Sequence, residues 1–195
     1  MPNDADLARR IGRGETHAFE EFVDLYGARV HRLVRRYVVQ EADAEDVTQE
    51  VFLDLYRSIS SFRGDSTLAT WVYRVTLNHC LRHRERRGPV VESYDDVAQE
   101  SPDRGSDPAR HVARRELSNQ VQVALDDLSA VQRDVIILHE LHGLTYRECA
   151  VVLGVPVGTV KSRLANAFRC LRGSLGTYVL GEAPTLCPDA LGETL

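Results

Sequence analysis

The chain has 195 residues, of which 43% are hydrophobic and 27% are charged, and its formal net charge is −5. This length is sufficient for one large domain or for two small ones with buried cores. No apolar run approaches the ~20 residues of a membrane span, and the N-terminus lacks the apolar core of a signal peptide. We therefore expect a cytoplasmic protein without membrane insertion.

The negative charge is concentrated in one segment. From Gly88 to Pro108, six acidic residues accompany one basic residue, Arg104, and this excess equals the net charge of the whole chain. Pro, Gly and Ser are frequent there and no periodicity is present, which predicts a flexible acidic linker. We expect an all-α chain with two small helical domains, residues 1–87 and 109–175, joined by the linker at 88–108 and followed by a tail at 176–195.

The N-terminal half begins with two predicted helices. A short helix is expected from Asp4 to Gly12, followed by a turn at Gly14. A long helix then starts near Thr16, because apolar residues recur every three or four positions as far as Tyr37.

The next predicted helix, which Asp43 is expected to cap, carries an acidic face. Between Glu41 and Asp54 there are six acidic residues and no basic residue. Acidic side chains without cationic partners one turn away repel one another, so this pattern favours an interface with a basic partner over a merely solvated surface. We call this surface the acidic face, and it comprises Asp46, Gln49, Glu50 and Leu53.

The following segment mixes aromatic and basic residues. F62-R-G-D65 predicts a polar turn, Ser66 is a candidate helix cap, and the helix is expected to end near Arg87. Unpaired bases stack on aromatic side chains while cations hold the nucleic-acid backbone. The segment therefore predicts binding of an opened strand through Phe62, Trp71, Tyr73, Arg63, Arg74 and Asn78.

The C-terminal half predicts a helix-turn-helix. Ser129 and Gln132 form a capping box that opens one helix, which Gly143 ends. Thr145 and Glu148 have the same spacing before a second helix, and Gly154 and Pro156 end it. A third helix is expected from Val157 to Arg172, with its buried face formed by Val160, Leu164, Ala167, Phe168 and Leu171.

The opposite face of this last helix suits a major groove. Ser162, Asn166 and Arg169 point away from the apolar stripe, with Lys161 and Arg163 on its flanks. Such side chains read base edges and hold phosphates. Thr159 lies in the first turn, where free amides let a phosphate approach. A helical hairpin with a solvated face is the structural alternative.

Metal and thiol chemistry find little support. The four cysteines lack C-x-x-C spacing and lie far apart, so buried thiols are expected rather than a disulfide framework. His79, Cys80 and His83 share a helical face but have no fourth zinc ligand near them in sequence, and H139-E-L-H142 lacks the spacing of a zinc hydrolase. We expect no catalytic residue, metal or cofactor.

Four motifs in sequence resemble the extracytoplasmic-function type of bacterial RNA polymerase sigma factor. They are D43-A-E-D-V-T-Q-E-V-F, F62-R-G-D-S-T-L-A-T-W-V-Y-R-V-T-L-N, L128-S-A-V-Q-R-D-V and G143-L-T-Y-R-E-C-A-V-V-L-G-V-P-V-G-T-V-K-S-R-L. The resemblance implies a non-catalytic initiation subunit whose partners are core RNA polymerase, promoter DNA and an anti-sigma factor.

The resemblance also implies roles for individual residues. The acidic face would bind core polymerase. The −10 element, melted to a single strand, would be bound by Phe62, Arg63, Gly64, Asp65, Trp71, Tyr73, Arg74, Asn78 and Arg82. The −35 duplex would be bound by Thr159, Lys161, Ser162, Arg163, Asn166 and Arg169.

Two rival interpretations remain at the level of sequence. A helix-turn-helix transcriptional regulator that is not a polymerase subunit could share the C-terminal motif, but a response regulator would add a βα receiver domain, and no βα alternation is present. A metal hydrolase would need a ligand set that the sequence lacks. Co-purification with core polymerase or with stoichiometric zinc would separate these interpretations.

Overall fold

The computed structural model of this chain describes residues 4–87, 120–121, 123–125 and 127–180. These residues form helices and turns with no strand among them, which confirms the all-α prediction. The chain divides into two compact units, Met1–Asp95 with Arg147–Val155 and Asp96–Tyr146 with Pro156–Leu195. The predicted linker and the tail beyond Leu180 lie outside the described residues.

Four helices make up the N-terminal part. They are α1 (Asp4–Gly12), α2 (Thr16–Val34), α3 (Glu41–Ser58) and α4 (Leu68–Arg87), with a 3₁₀ turn at Ile59–Ser61. The predicted starts of α1 and α2 are confirmed. Tyr37, which was counted with α2, lies beyond its end but is buried.

The prediction that Asp43 caps α3 is wrong. The helix begins at Glu41, two residues before Asp43. Gln40 occupies the N-cap position, and its side chain makes no capping hydrogen bond. Glu41 forms an ion pair with Arg35 at 3.1 Å, which holds the start of α3 against the end of α2. Asp43 instead lies in the first turn, where an acidic side chain still complements the helix dipole.

The core of these helices follows from their apolar spacing. Val47, Val51 and Leu55 recur at intervals of four on α3 and are buried, as predicted. Phe22 and Leu33 of α2 are fully buried, and α2, α3 and α4 pack against one another. The outward faces of α3 and α4 are consequently fixed by the positions of their buried residues.

The helices of the C-terminal part begin at the predicted signals, and the helix before Gly154 also ends at its predicted signal. Residues 120–121 and 123–125 are helical, and α5 (Ala130–Ile136) opens with the capping box of Ser129 and Gln132. A π-helical turn follows at Ile137–Leu141. Helix α6 covers Tyr146–Leu153 and ends at Gly154, whose φ of 66° lies in the left-handed region that glycine tolerates.

Helix α7 (Val157–Leu180) extends beyond the predicted end at Arg172. Each of the glycines at positions 173 and 176 costs a helix only about 1 kcal/mol relative to alanine, which is too little to end it. The buried stripe runs through Val160, Leu164, Ala167 and Cys170. The prediction that Phe168 and Leu171 belong to it is wrong, because the stripe turns towards Cys170, which leaves Phe168 43% exposed and Leu171 only half-buried.

The burial pattern of α2 yields a stability prediction. Leu33 is fully buried, whereas Leu25 on the same helix is 46% exposed. We expect Leu33→Ala to lower the free energy of unfolding by about 2–5 kcal/mol, because it leaves a cavity in the core. Leu25→Ala is the matched control and should change it by about 0.5 kcal/mol or less.

Urea unfolding followed by far-UV circular dichroism measures both variants. Equal losses of stability at the two positions would contradict the assignment of the core face of α2.

Candidate functional site

The acidic face is accessible on α3. Asp46, Gln49 and Glu50 are exposed, and Leu53 is 55% exposed, while Val47 and Val51 beside them are buried. An exposed leucine among carboxylate and amide side chains gives this surface an apolar centre with an anionic edge. Such a surface complements a basic partner that also offers an apolar contact.

Acids of α3 do find partners on other elements, although none of these partners lies one turn away on α3 itself: two acids pair with an arginine, and a third lies beside an imidazole. Glu41 pairs with Arg35, Glu50 Oε2 lies 3.6 Å from an Arg86 guanidinium nitrogen, and Asp54 Oδ2 lies 2.8 Å from His79 Nε2. The partners come from other elements, so a search of α3 itself could not find them. Asp46 forms no ion pair with any residue in the described part of the chain.

The Glu50–Arg86 pair lines a cavity of about 390 Å³ beside the acidic face, together with His79, Arg82 and Glu85. The buried imidazole of His79 lies near two carboxylates, with Nδ1 3.8 Å from Glu50 and Nε2 2.8 Å from Asp54. His79 therefore links α4 to α3. Among the described residues, no three His, Cys, Asp or Glu side chains are grouped as metal ligands.

The F62-R-G-D65 segment forms an exposed loop as predicted. Arg63, Gly64 and Asp65 are exposed, and Gly64 has a φ of 78°, so a residue with a side chain would be strained there. Phe62 is half-buried, and its ring centroid lies 5.8 Å from that of Trp71. The loop presents a cation and a carboxylate around a backbone turn.

Helix α4 separates its aromatic residues from its polar ones. Trp71 is only 6% exposed and Tyr73 only 8%, which removes both rings from the surface on which bases were expected to stack. Burial is the largest cause that raises the pKa of Tyr73, so its hydroxyl stays neutral. Sequence spacing could have shown the burial of Trp71, because it lies three residues after Leu68.

The exposed stripe of α4 contains the remaining predicted residues. Arg74, Asn78 and Arg82 are all exposed, and their spacing of four places them along one side of the helix. Two cations and an amide in a row can hold a nucleic-acid backbone and read base edges. The structure thus retains the polar half of the predicted strand-binding surface.

The prediction that Ser66 caps α4 is also wrong. Thr67 precedes the first helical residue, and its Oγ1 accepts the Thr70 N–H at 3.1 Å. The Leu68 N–H donates to Asp4 Oδ2 at 2.9 Å. Asp4 comes from α1, so no local sequence signal indicated its participation.

The polar face of α7 is accessible as expected. Lys161, Ser162 and Arg169 are exposed, and Thr159, Arg163 and Asn166 are partly exposed. Two contacts preorganise it: Arg169 donates to Asn166 Oδ1 at 2.9 Å, and the Ser162 hydroxyl donates to the Thr159 carbonyl at 3.0 Å. The stripe of side chains keeps its hydrogen-bonding groups on one side of the helix.

Tyr146 was not identified from the sequence. The Lys161 ammonium lies 5.9 Å from the centroid of its ring, and that ring lies 4.7 Å from the ring of His139. An exposed cation–π contact of this kind contributes about 0.5–1 kcal/mol. It holds Lys161 in a defined position without neutralising its charge.

The described cysteines differ from the expectation in one respect. Cys80 and Cys149 are buried free thiols, as predicted, and burial, with the charge of Glu148 second, raises the pKa of Cys149 to about 11. Cys170 is disulfide-bonded, which contradicts the prediction of a thiol there. The partner of Cys170 lies outside the described residues.

Comparison with known proteins gives the same order of regions. The Sigma-70 region 2 model matches residues 22–90, and the model of Sigma-70, region 4 matches residues 118–171. The RNA polymerase sigma-H factor of Pseudomonas aeruginosa is 34% identical over 172 residues, which cover 84% of this chain and 89% of the relative. The ECF RNA polymerase sigma-E factor of Escherichia coli K12 is 36% identical over 172 residues, which cover 84% of this chain and 90% of the relative.

Two solved structures are similar in fold. The structure of CnrH in complex with the cytosolic domain of CnrY has a TM-score of 0.66 and 27% identity, with 89% of this chain and 97% of that chain covered. The sigma factor RpoE from Bartonella quintana, in complex with the anti-sigma factor NepR, has a TM-score of 0.61 and 26% identity. The match covers 81% of this chain and 96% of that chain.

The match to region 2 contradicts the alternative of a helix-turn-helix regulator that is not a polymerase subunit, because region 2 is a sigma-factor region and precedes the DNA-binding motif here. None of the helices in the described ranges is long and apolar enough to cross a membrane. The chain belongs to the extracytoplasmic-function family of RNA polymerase sigma factors, which bind core polymerase and direct promoter-specific transcription initiation.

Proposed function

We propose a division of this work between the two halves of the chain. Residues 1–87 bind core polymerase, recognise the −10 element and melt it, and residues 109–175 recognise the −35 duplex. The observation that carries the proposal is the occurrence of sigma regions 2 and 4 in this order in one chain. The protein acts in the cytoplasm as a non-catalytic subunit.

Run-off transcription with reconstituted holoenzyme tests the proposed function. Core polymerase with this chain should start transcripts at specific sites on a genomic DNA library, and core polymerase alone should not. Sequencing of the transcript starts would give the promoter elements. Initiation without site preference would contradict the proposal.

The acidic face is assigned to core polymerase. Asp46, Gln49 and Glu50 offer carboxylate and amide oxygens, and Leu53 supplies an apolar contact at their centre. Interfaces between charged surfaces gain association rate and specificity from this complementarity. The complex of a similar sigma factor with the anti-sigma factor NepR supports an anti-sigma factor as a further partner of this chain.

The −10 element is assigned to the loop and the exposed stripe of α4. Phe62, Arg63, Gly64 and Asp65 would receive a base of the opened strand, and Arg74, Asn78 and Arg82 would hold the strand that follows. Because Trp71 and Tyr73 are buried, we assign them to support of this surface rather than to direct stacking. Phe62, whose ring is partly exposed, remains as the aromatic residue that contacts a base of the opened strand.

The −35 element is assigned to α7, through the six residues Thr159, Lys161, Ser162, Arg163, Asn166 and Arg169. Their donors lie on one helix that carries no acidic residue in its first turn. Arg and Lys bind phosphates and guanine edges, and Ser and Asn bind bases or phosphates according to register.

We expect Asp46→Lys to weaken binding of core polymerase by at least about tenfold, because it places a like charge against a basic partner. Asp46 is the sharpest position for this test since it has no ion pair to lose within the described residues, whereas Glu50 pairs with Arg86. Asp24→Lys, an equal charge reversal at an exposed position of α2, is the control.

Fluorescence anisotropy of the labelled chain titrated with core polymerase gives both affinities. If Asp46→Lys bound core polymerase with native affinity, the acidic face would be a solvated surface and not the polymerase-binding surface.

For strand opening we expect Arg74→Ala combined with Asn78→Ala to lower permanganate reactivity of promoter thymines at least about tenfold, by removing contacts worth roughly 1–3 kcal/mol each. Core affinity should change less than about twofold. Arg84→Ala removes an exposed cation of the same helix outside the stripe and should leave reactivity near that of the unmodified protein.

A pre-melted promoter bubble separates the two steps. Rescue by the bubble would place the defect in opening, and continued loss would place it in strand capture. Unchanged reactivity on the duplex promoter would contradict the assignment of this stripe.

For the −35 element we expect Lys161→Ala to weaken duplex binding by holoenzyme and to reduce the slope of log affinity against log salt by about one unit, as loss of one phosphate contact requires. Arg57→Ala, which removes an exposed cation from α3, should leave the slope unchanged. Filter binding across a salt series measures both. An unchanged slope and affinity in Lys161→Ala would remove this side chain from the interface.

A further inference from the structure

The start of α4 is held by a residue far away in sequence. The Leu68 N–H, the first amide of the helix, donates to Asp4 Oδ2 at 2.9 Å across 64 positions. The first four amides of any α-helix lack partners within the helix. A carboxylate at this position satisfies one of them and also complements the positive end of the helix dipole.

A second cap completes this helix start. Thr67 Oγ1 accepts the Thr70 N–H at 3.1 Å, and the Thr67 carbonyl accepts the Trp71 N–H at 3.1 Å. Thr67 therefore accepts from the amides of Thr70 and Trp71 but not from that of Leu68, which donates to Asp4 instead. Leu68 is fully buried, so an unpaired amide at this position could not be satisfied fully by water.

Helix α1 also supports the other end of the same loop. Leu7, Ala8 and Ile11 of α1 are buried, and α1 packs against the 3₁₀ turn Ile59–Ser61. The Phe62 N–H donates to the Ile59 carbonyl at 3.0 Å at the end of that turn. The loop from Phe62 to Thr67 thus begins at a turn that α1 packs against and ends at an amide that α1 binds.

Asp4 is half-buried, and its carboxylate interacts with helices other than its own. It belongs to α1, binds α4, and lies near Tyr26 of α2, whose pKa is raised first by burial and next by the charge of Asp4. Asp6, two residues later on α1, is exposed and pairs with Arg9 on the same helix. The two aspartates therefore occupy different environments although both lie in the first turn of α1.

We propose that Asp4 is a positioning residue for −10 recognition: its hydrogen bond to Leu68 sets the loop Phe62–Thr67 in the conformation that selects the captured base. The proposal rests on the proposed assignment of this loop to the −10 element. It adds a residue outside the region 2 match, which begins at residue 22. Loss of the contact releases one end of the loop without touching the acidic face on α3.

The experiment measures base selection by holoenzyme without requiring a known promoter. The probe is a DNA bubble whose non-template strand carries eight randomised positions, and bound molecules are separated and sequenced. We expect Asp4→Ala to lower the enrichment of the preferred base at the most selected position at least about fivefold. Core affinity and thermal melting temperature are measured on the same preparations, and core affinity should stay within about twofold.

Two variants test the cause. Asp4→Asn keeps an acceptor oxygen at the same distance and should retain most of the enrichment. Asp6→Ala removes an acidic residue from the same turn of α1 and should retain all of it. If Asp4→Ala does not fold, Asp4→Glu takes its place, since it keeps the charge but displaces the carboxylate by one methylene, and we expect at least about a threefold loss.

The outcomes are distinct. Native enrichment in Asp4→Ala would overturn the proposal, as would native enrichment in Asp4→Glu if that variant has to be used. A loss of stability or core affinity with an unchanged pattern of selected bases would also overturn it, because Asp4 would then only stabilise the fold. Absence of any selected base with the unmodified holoenzyme would instead contradict the proposed −10 function.

Discussion

The burial of one side of α4 is the constraint on which the N-terminal part of this protein depends. Leu68, Trp71, Val72, Leu77 and Cys80 are all buried, and α4 packs against both α2 and α3. Once these residues face inward, the rotation of the helix is fixed, and the stripe through residues 74, 78 and 82 must face outward. The surface available to a nucleic acid is therefore what the core leaves exposed.

Local signals in the sequence predicted much of this fold. Ser129 with Gln132 marked the start of α5, Gly154 marked the end of α6, and Val47, Val51 and Leu55 gave the inner face of α3, because each depends on residues within a few positions of one another. The errors arose where distant residues decide. Asp4 at the start of α4, and Arg86 beside Glu50, join elements whose approach no local pattern encodes.

The candidate site was predicted in composition more accurately than in orientation. An aromatic residue among cations suggested a stacking surface, but Trp71 and Tyr73 pack into the core while Arg74 beside them is exposed. A twenty-residue helix that packs on two neighbours needs large apolar side chains for its own stability, each worth about 1.5–3 kcal/mol when buried. Helix packing and strand binding both use large aromatic side chains, so the sequence alone does not distinguish a buried aromatic residue from one that stacks on a base.

The segregation of α4 into a buried side and an exposed stripe also bears on how such a protein can change over evolutionary time. Exposed side chains away from caps and buried networks alter stability by only about 0.5 kcal/mol when replaced, and substitutions without shared partners act nearly additively. Arg74, Asn78 and Arg82 can thus be exchanged one at a time while Leu68, Trp71 and Leu77 keep the helix in place. If this stripe binds the −10 strand, as proposed, a duplicated copy of this chain could acquire a new promoter preference through intermediates that all remain folded.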